Sequence, residues 1–317
     1  MSSNAELIKK ADIALSDLAT AGHLNPEQTN QFIRTLIDQP TILASCRTVA
    51  MKAPQMKINK IGFGSRIMQA GTSVLGEGVA LPSSQRVKPD LGQVVLNTQE
   101  AIAQINIPYD VIEDNIEGGN VNVPLQTGAG GIHQTIVDLI AERAALDLEE
   151  WGIKGDTSSS DTYLAMANGW LKLATANVAN IGGVFDKSAA KAALKTMPTR
   201  YLRNRSALKH FVSVDQETEI RDQFASRIGA LGDSNITGNL PVRVFGSDVV
   251  PVALMPGAQG LFTDPMNLIF GIQRNIQIEY TKDITARIFI IVLTCRIAFA
   301  VEEVNAIVQY SGLQGSR

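Results

Sequence analysis

The side chains best equipped for chemistry in this sequence are three histidines, two cysteines and two adjacent carboxylate pairs, and their spacing leaves them scattered. His23, His133 and His210 fall in three different segments, with no His-Glu-x-x-His pattern and no cysteine pair at metal-ligand spacing. Cys46 and Cys295 are far apart, outside any Cys–His nucleophile context, and read as buried small apolar residues of a protein from a reducing cytosol. No Gly-x-Ser-x-Gly elbow is present. Glu149-Glu150 and Glu302-Glu303 point their carboxylates to different faces, which suits a solvated surface better than paired acid/base work. Gly128, Gly130 and Gly131 precede a helical pattern and come nearest to a phosphate cradle, because N–H groups at a helix N-terminus attract anions. Their spacing fits neither the dinucleotide fingerprint nor a P-loop, and no Gly-Lys-Ser/Thr follows, so a tight turn feeding a long helix explains them more simply. The expectation is a protein that is not an enzyme, with no catalytic, cofactor-binding or metal-ligating residue and no cofactor.

What the sequence does organise is a long projection. Residues 57–68 form one extended run, residues 71–85 a tip with three glycines and a proline, and residues 93–107 a returning run with Ile105 and Ile107 on one face and Gln104 and Asn106 on the other. A two-stranded hairpin alone is marginal in water, so an arm of this length needs another surface to lie on. The expectation is that this surface belongs to another copy of the same chain. Arg66, Arg86 and Lys88 lie on the arm and are candidate intersubunit contacts with carboxylates of a neighbour; solubilising charge is the alternative reading.

The 317 residues are 45% hydrophobic, enough for one large or two ordinary cores. Lys plus Arg number 28 against 31 Asp plus Glu, a net charge of −3 without a like-charge block. Sequence-specific DNA binding, which draws on clustered cations, is therefore not expected. The first ten residues lack a signal-peptide core, and the longest apolar stretch, 288–301, is broken by Thr294 and Arg296 and is too short to span a bilayer. No membrane partner is expected.

Along the chain, residues 5–20 and 26–38 read as helices, the second with Phe32, Ile33, Leu36 and Ile37 at helical spacing; Phe32 and Leu36 carry no assigned contact. A turn at 118–120 and a short strand at 121–125 precede a helix from Ile132 to about Trp151, ended by Gly152 and Gly155. Its stripe is Ile132, Ile136, Leu139, Ile140, Ala144 and Trp151, with Glu149 on another face. Residues 165–260 read as an α/β unit: a helix at 188–197, a strand at 208–214, a helix capped by Asp215 with Ile220, Phe224 and Ile228 on one face, a loop at 229–238, and strands at 242–245 and 249–254. Residues 276–280 alternate as a half-buried strand. A strand over 286–301, buried on both faces for much of its length, matches the rod helix in length, and the two are expected to pack along each other.

This order of parts resembles the major capsid proteins of tailed double-stranded DNA bacteriophages. The resemblance is carried by 264–276 (DPMNLIFGIQRNI) running on to Glu302, by 61–66 (IGFGSR) on the arm, and by 107–116 (IPYDVIEDNI) before the rod helix. It implies an α+β fold shared with herpesvirus capsid floors and encapsulins. Its expected parts are an N-terminal arm (1–54), an extended hairpin loop (55–108), a peripheral domain with a spine helix (109–164, spine 126–153), an axial domain (165–260) and return strands of the peripheral domain (261–317). It further implies self-assembly into hexamers and pentamers of an icosahedral head enclosing double-stranded DNA without sequence specificity, in the virion after assembly in the host cytoplasm. Portal and scaffolding proteins are implied partners, and a decoration protein is a further one. Covalent Lys-to-Asn crosslinking, known in some relatives, is not expected, because Lys88 lacks a matching constellation. Two rivals remain at this point: an encapsulin-like compartment with protein cargo, and a soluble α/β enzyme that binds a phosphate-bearing ligand at the glycine cluster.

Overall fold

The computed structural model describes residues 40–63, 66–68, 86–108, 132–226 and 241–314. The expected N-terminal helices with Phe32 and Leu36, the arm tip, the 118–125 turn and strand, the glycine cluster and the 229–238 loop lie outside the described residues.

Two long strands, Leu268–Asp283 and Ile288–Val301, pair antiparallel from Leu268 opposite Val301 to Asp283 opposite Ile288. Arg47–Ala50 adds in parallel to the first, and Gln99–Pro108 adds antiparallel to the second, closing a four-stranded sheet. In Ile288–Val301 buried and half-buried residues alternate as far as Arg296; only the last five residues are buried on both faces. At that end the period of two sorts the side chains. Cys295, Ile297, Phe299 and Val301 join the cluster of Trp151 and Trp170, while Ala298 and Ala300 lie with Met51 and Leu96 on the other face.

The rod helix spans Ile132–Lys154, about 35 Å at 1.5 Å per residue. Gly152 does not end it. A Cβ there would come within 2.8 Å of the Phe299 ring, so glycine lets the helix close onto the long strand. The expected lengthwise packing of helix and strand gives way to contact through the helix's C-terminal turns. Trp151 meets Phe299 edge-on with ring centroids 5.4 Å apart, and Trp170 does so at 5.2 Å while its indole N–H donates to the Ala300 carbonyl at 3.2 Å.

The second sheet has six strands in the order Val178–Asn180, Ile307–Ser311, Gly260–Thr263, Lys209–Val212, Ser247–Pro251, Arg243–Val244. The expected return strands are thus shared between the two sheets, with Leu268–Asp283 and Ile288–Val301 in the first and Gly260–Thr263 and Ile307–Ser311 in the second. Asp186 caps the helix Lys187–Thr196 by accepting from the Ala189 N–H at 2.8 Å. The helix Val214–Ala225 is capped by Ser213, with Asp215 in its first turn instead of at the cap; Ile220 is fully buried, and Ile228 lies outside the described residues.

Within this core the His210 ring stacks on Phe262, centroids 4.3 Å apart, and its Nδ1 is hydrogen-bonded to the Tyr310 hydroxyl at 2.7 Å. Burial pulls the imidazole down to about 3 from its ordinary 6.5. Between those values the unfolded chain binds a proton that the folded protein refuses. The resulting stability is intact above pH 6.5 and is lost as the pH falls toward 3, by about 1.4 kcal/mol per pH unit. Thermal unfolding followed across that window should therefore show a shallower decline for the double variant His210→Phe/Tyr310→Phe than for the parent. Equal slopes would contradict this origin.

Candidate functional site

The arm is a hairpin of Gln55–Gly62 and Asp90–Asn97, in register from Gln55 opposite Asn97 to Gly62 opposite Asp90. The returning run does not belong wholly to it. At Thr98 the chain changes sheets: its N–H donates to the Pro54 carbonyl at 2.9 Å and its hydroxyl to Gln273 at 2.9 Å, and Gln99–Pro108 then joins the long strands. Ile105 and Ile107 therefore belong to the body.

The hairpin also has a seat on its own subunit, which corrects the expectation that only a neighbour could support it. Met56, Ile58, Val94 and Leu96 alternate onto one face and pack over Ile269, Ala298, Ala300 and Met51. The seat is shaped by small residues. A Cβ on Gly271 would lie 2.7 Å from Leu96 and 2.8 Å from Met51, so the first long strand needs glycine where the arm settles.

Farther out the hairpin leaves the body. Ile61 and Leu91 are cross-strand partners on its outer face and remain 72% and 75% exposed; Phe63, Ile67 and Met68 continue the exposed apolar series. Lys60, on the inner face, folds across Gly92 so that its Nζ lies 2.9 Å from Glu303 Oε2 and 3.3 Å from the Glu302 carbonyl. Partial burial raises the Glu303 carboxyl, but hydrogen bonds from Lys60 and Asn305 outweigh it and hold the group below its usual range. Between this part of the arm, residues 200–204 and the turn Pro265–Asn267 runs a groove of about 850 Å³.

The carboxylate pairs expected on a solvated surface all have partners. Glu302 meets Arg47 at 2.8 Å, Glu303 holds Lys60, and Glu150 pairs with Lys154 at 2.9 Å. Glu149 is only 2% exposed. Its Oε1 accepts from the N–H groups of Thr41, Ile42 and Leu43 at 2.7, 2.5 and 3.4 Å, capping the short helix Ile42–Ser45 from a distant part of the chain. The sequence held a signal for it: Glu149 lies three residues after Leu146 and four before Ile153, on the helix's buried stripe. Glu100, unremarked in the sequence, joins two strands by accepting from Arg296 at 2.8 Å and from Arg274. Those hydrogen bonds, Arg296 first, hold its carboxyl below the usual range.

Of the candidate contact residues, Arg66, Arg86 and Lys88 are exposed at the distal end of the described hairpin, and Phe32 and Leu36 lie outside the described residues. Cys46 and Cys295 are both buried, and burial pushes the Cys46 thiol up to about 12. Among the described residues no three His, Cys, Asp or Glu side chains converge as metal ligands, and no helix is long and apolar enough to cross a membrane.

The hairpin thus projects with an apolar outer face from its seat on a sheet of long strands beside a rod helix. No protein-family model matches the chain. A prophage capsid protein of Bacillus subtilis (strain 168), YqbE, is 40% identical over 96% of this chain and 97% of its own length. The chain belongs to the phage capsid protein family. Its fold is also that of solved capsids. It is similar to the capsid of the native GTA particle (TM-score 0.64, 15% identity, 95% of this chain and 100% of the other) and to a chain of Mycobacterium phage Cain (0.62, 16%, 97% and 100%). A chain of the satellite phage P4 procapsid gives a TM-score of 0.61 at 16% identity, covering 86% and 87%. At these identities the likeness concerns the fold, and the role as a structural component of the virion shell follows from family membership.

Proposed function

We propose that this capsid protein assembles with copies of itself as hexamers and pentamers, closing an icosahedral head around double-stranded DNA in a structural, non-catalytic role. The observation that carries the reading is the cross-strand pair Ile61 and Leu91, exposed on an arm whose other face is already satisfied by its own body. Such a pair is left for a second surface, and exposed apolar area of this kind marks interaction sites. Arg66, Arg86 and Lys88 would meet carboxylates of the neighbouring copy at the rim. Each contact is modest. Closure makes them collectively strong, because every subunit held by several neighbours presents its remaining contacts at high effective concentration. Portal and scaffolding proteins, and a decoration protein, are the further partners of this reading, and the DNA would be enclosed without sequence recognition.

The double variant Ile61→Asp/Leu91→Asp tests it. Both side chains are exposed, so the melting temperature of the unassembled subunit should move by less than about 2 °C, as expected for surface changes of within about 0.5 kcal/mol. Particles counted by electron microscopy should be lost, and removal of residues 69–85 should have the same effect. Undiminished particle yield from both variants would overturn the reading.

A further inference from the structure

Residues 187–205 carry six cations, spread too widely to form a contiguous block. They are Lys187, Lys191, Lys195, Arg200, Arg203 and Arg205, with no Asp or Glu between them, and all six are exposed. The three lysines recur every fourth residue of the helix Lys187–Thr196, in a row about 12 Å long on the side opposite the buried Ala189, Ala190 and Ala193. The chain then turns at Pro198, and the arginines follow on Thr199–Tyr201 and the loop after it. Arg200 lies over the Tyr201 ring, 4.5 Å from its centroid. The Arg205 carbonyl accepts from the Ser247 hydroxyl at 3.0 Å and from the Leu208 N–H at 3.2 Å, which ties the loop to the six-stranded sheet.

Nine other cations of the described residues close ion pairs with carboxylates; none of these six does. The helix Val214–Ala225 touches the lysine helix where Gln223 accepts from the Lys187 N–H at 3.2 Å, yet its Glu217 is taken by Arg221, and neither Glu219 nor Asp222 closes an ion pair with the lysine row. The row works against its own helix. Like charges at i, i+4 repel, and Lys187, in the first turn, meets the positive end of the helix dipole. An anion laid along the row relieves both strains. Double-stranded DNA carries a charge about every 1.7 Å of its axis and offers several phosphates to a row of this length. Lysines on flexible stems meet phosphates as point charges and read no base edges, which suits a partner bound without sequence preference.

We propose that the surface formed by these three lysines and three arginines binds the phosphate backbone of the enclosed DNA, so that this side of the six-stranded unit faces the lumen of the head. The inference rests on the shell reading above and adds to it the face that meets the genome.

Binding of a short fluorescent duplex, in two unrelated sequences, to the unassembled full chain tests it. Both sequences should bind alike, with affinity falling about 10³-fold between about 50 and 200 mM salt, as for six phosphate contacts. Lys187→Gln/Lys191→Gln/Lys195→Gln should weaken binding by more than about tenfold at the lower salt and reduce the slope of log affinity against log salt by about 3; adding Arg200→Gln/Arg203→Gln/Arg205→Gln should abolish it. Lys52→Gln/Lys57→Gln/Arg287→Gln, equally exposed but elsewhere, should leave affinity within about twofold. All the substituted side chains are exposed, so every variant should melt with the parent. Formaldehyde applied to DNA-filled particles should join peptides containing Lys191 to the DNA. Unchanged binding by the sixfold variant, an equal loss in the control, or no such cross-link overturns the proposal. Poly-glutamate that competes as well as DNA at equal charge also overturns it and makes an acidic protein the partner. Particle formation is scored separately by electron microscopy: particles from a parent chain that binds DNA no better than the sixfold variant sink this inference alone, whereas duplex binding with the expected slope and no particles sinks the shell reading and leaves the cationic surface standing.

Discussion

Gly169→Ala is expected to cost about 3–5 kcal/mol and to lower the melting temperature by roughly 5–8 °C, with most of the protein lost to the insoluble fraction. At Gly169 the polar loop that leaves the rod helix returns to it, and its N–H donates to the Gly155 carbonyl at 2.8 Å. A Cβ at this point would lie 2.6 Å from the Gly152 carbonyl oxygen, 2.8 Å from the Gly155 nitrogen and 2.9 Å from the Trp151 carbonyl oxygen. All three are backbone atoms of a helix end held by Trp151, so no rotamer can relieve the clash, and the helix and the Trp170 segment must separate. Gly155→Ala should behave alike, since its Cβ would meet the Ala167 oxygen at 2.5 Å. Gly183→Ala is the control. Nothing lies within 4 Å of its Cβ position, and its effect should stay within about 0.5 kcal/mol. Thermal unfolding of the three purified variants decides the matter; equal melting temperatures would mean that the crossing is not under the constraint described.

The second large effect is expected at Glu149. Replacing it with alanine removes the acceptor of three N–H groups, at least one of them fully buried, and should cost about 3–5 kcal/mol, because each buried donor left without a partner loses about 1–3 kcal/mol. Glu149→Gln keeps an acceptor in place and should cost about 1–2 kcal/mol, the difference between a charged and a neutral hydrogen bond. Beyond stability, Glu149→Ala should release residues 40–46 from the rod helix and make them sensitive to proteases, while the hairpin stays seated. Limited proteolysis with mass analysis of the new termini measures this. If the glutamine and alanine variants match in both stability and cleavage, Glu149 is not acting as the cap.

The sequence alone determined the elements whose signals are local. Period-two alternation placed the half-buried strand around 276–280, and helical spacing placed the rod helix and the helix before Pro198. The length of the extended runs marked an arm that projects. Family likeness was carried by short segments in their order, which needs no coordinates.

What only the tertiary structure decided are matters of register and of approach between distant segments. Thr98 is an ordinary threonine in a continuous extended run, and it becomes the point where the arm ends because Pro54 and Gln273 meet it there. Gly152 reads as a helix stop, yet it lies inside the helix because the closeness of Phe299, 147 positions later, favours a residue without a Cβ. Glu149 and Glu150 look alike as neighbours in sequence; burial separates them, since one faces three backbone donors and the other pairs with Lys154 near the surface. Hydrophobic period is a property of consecutive residues and can be read in one dimension. Which backbone groups lack partners, and how near two segments must come, are set by residues from tens to more than a hundred positions apart, and folding is what brings those together.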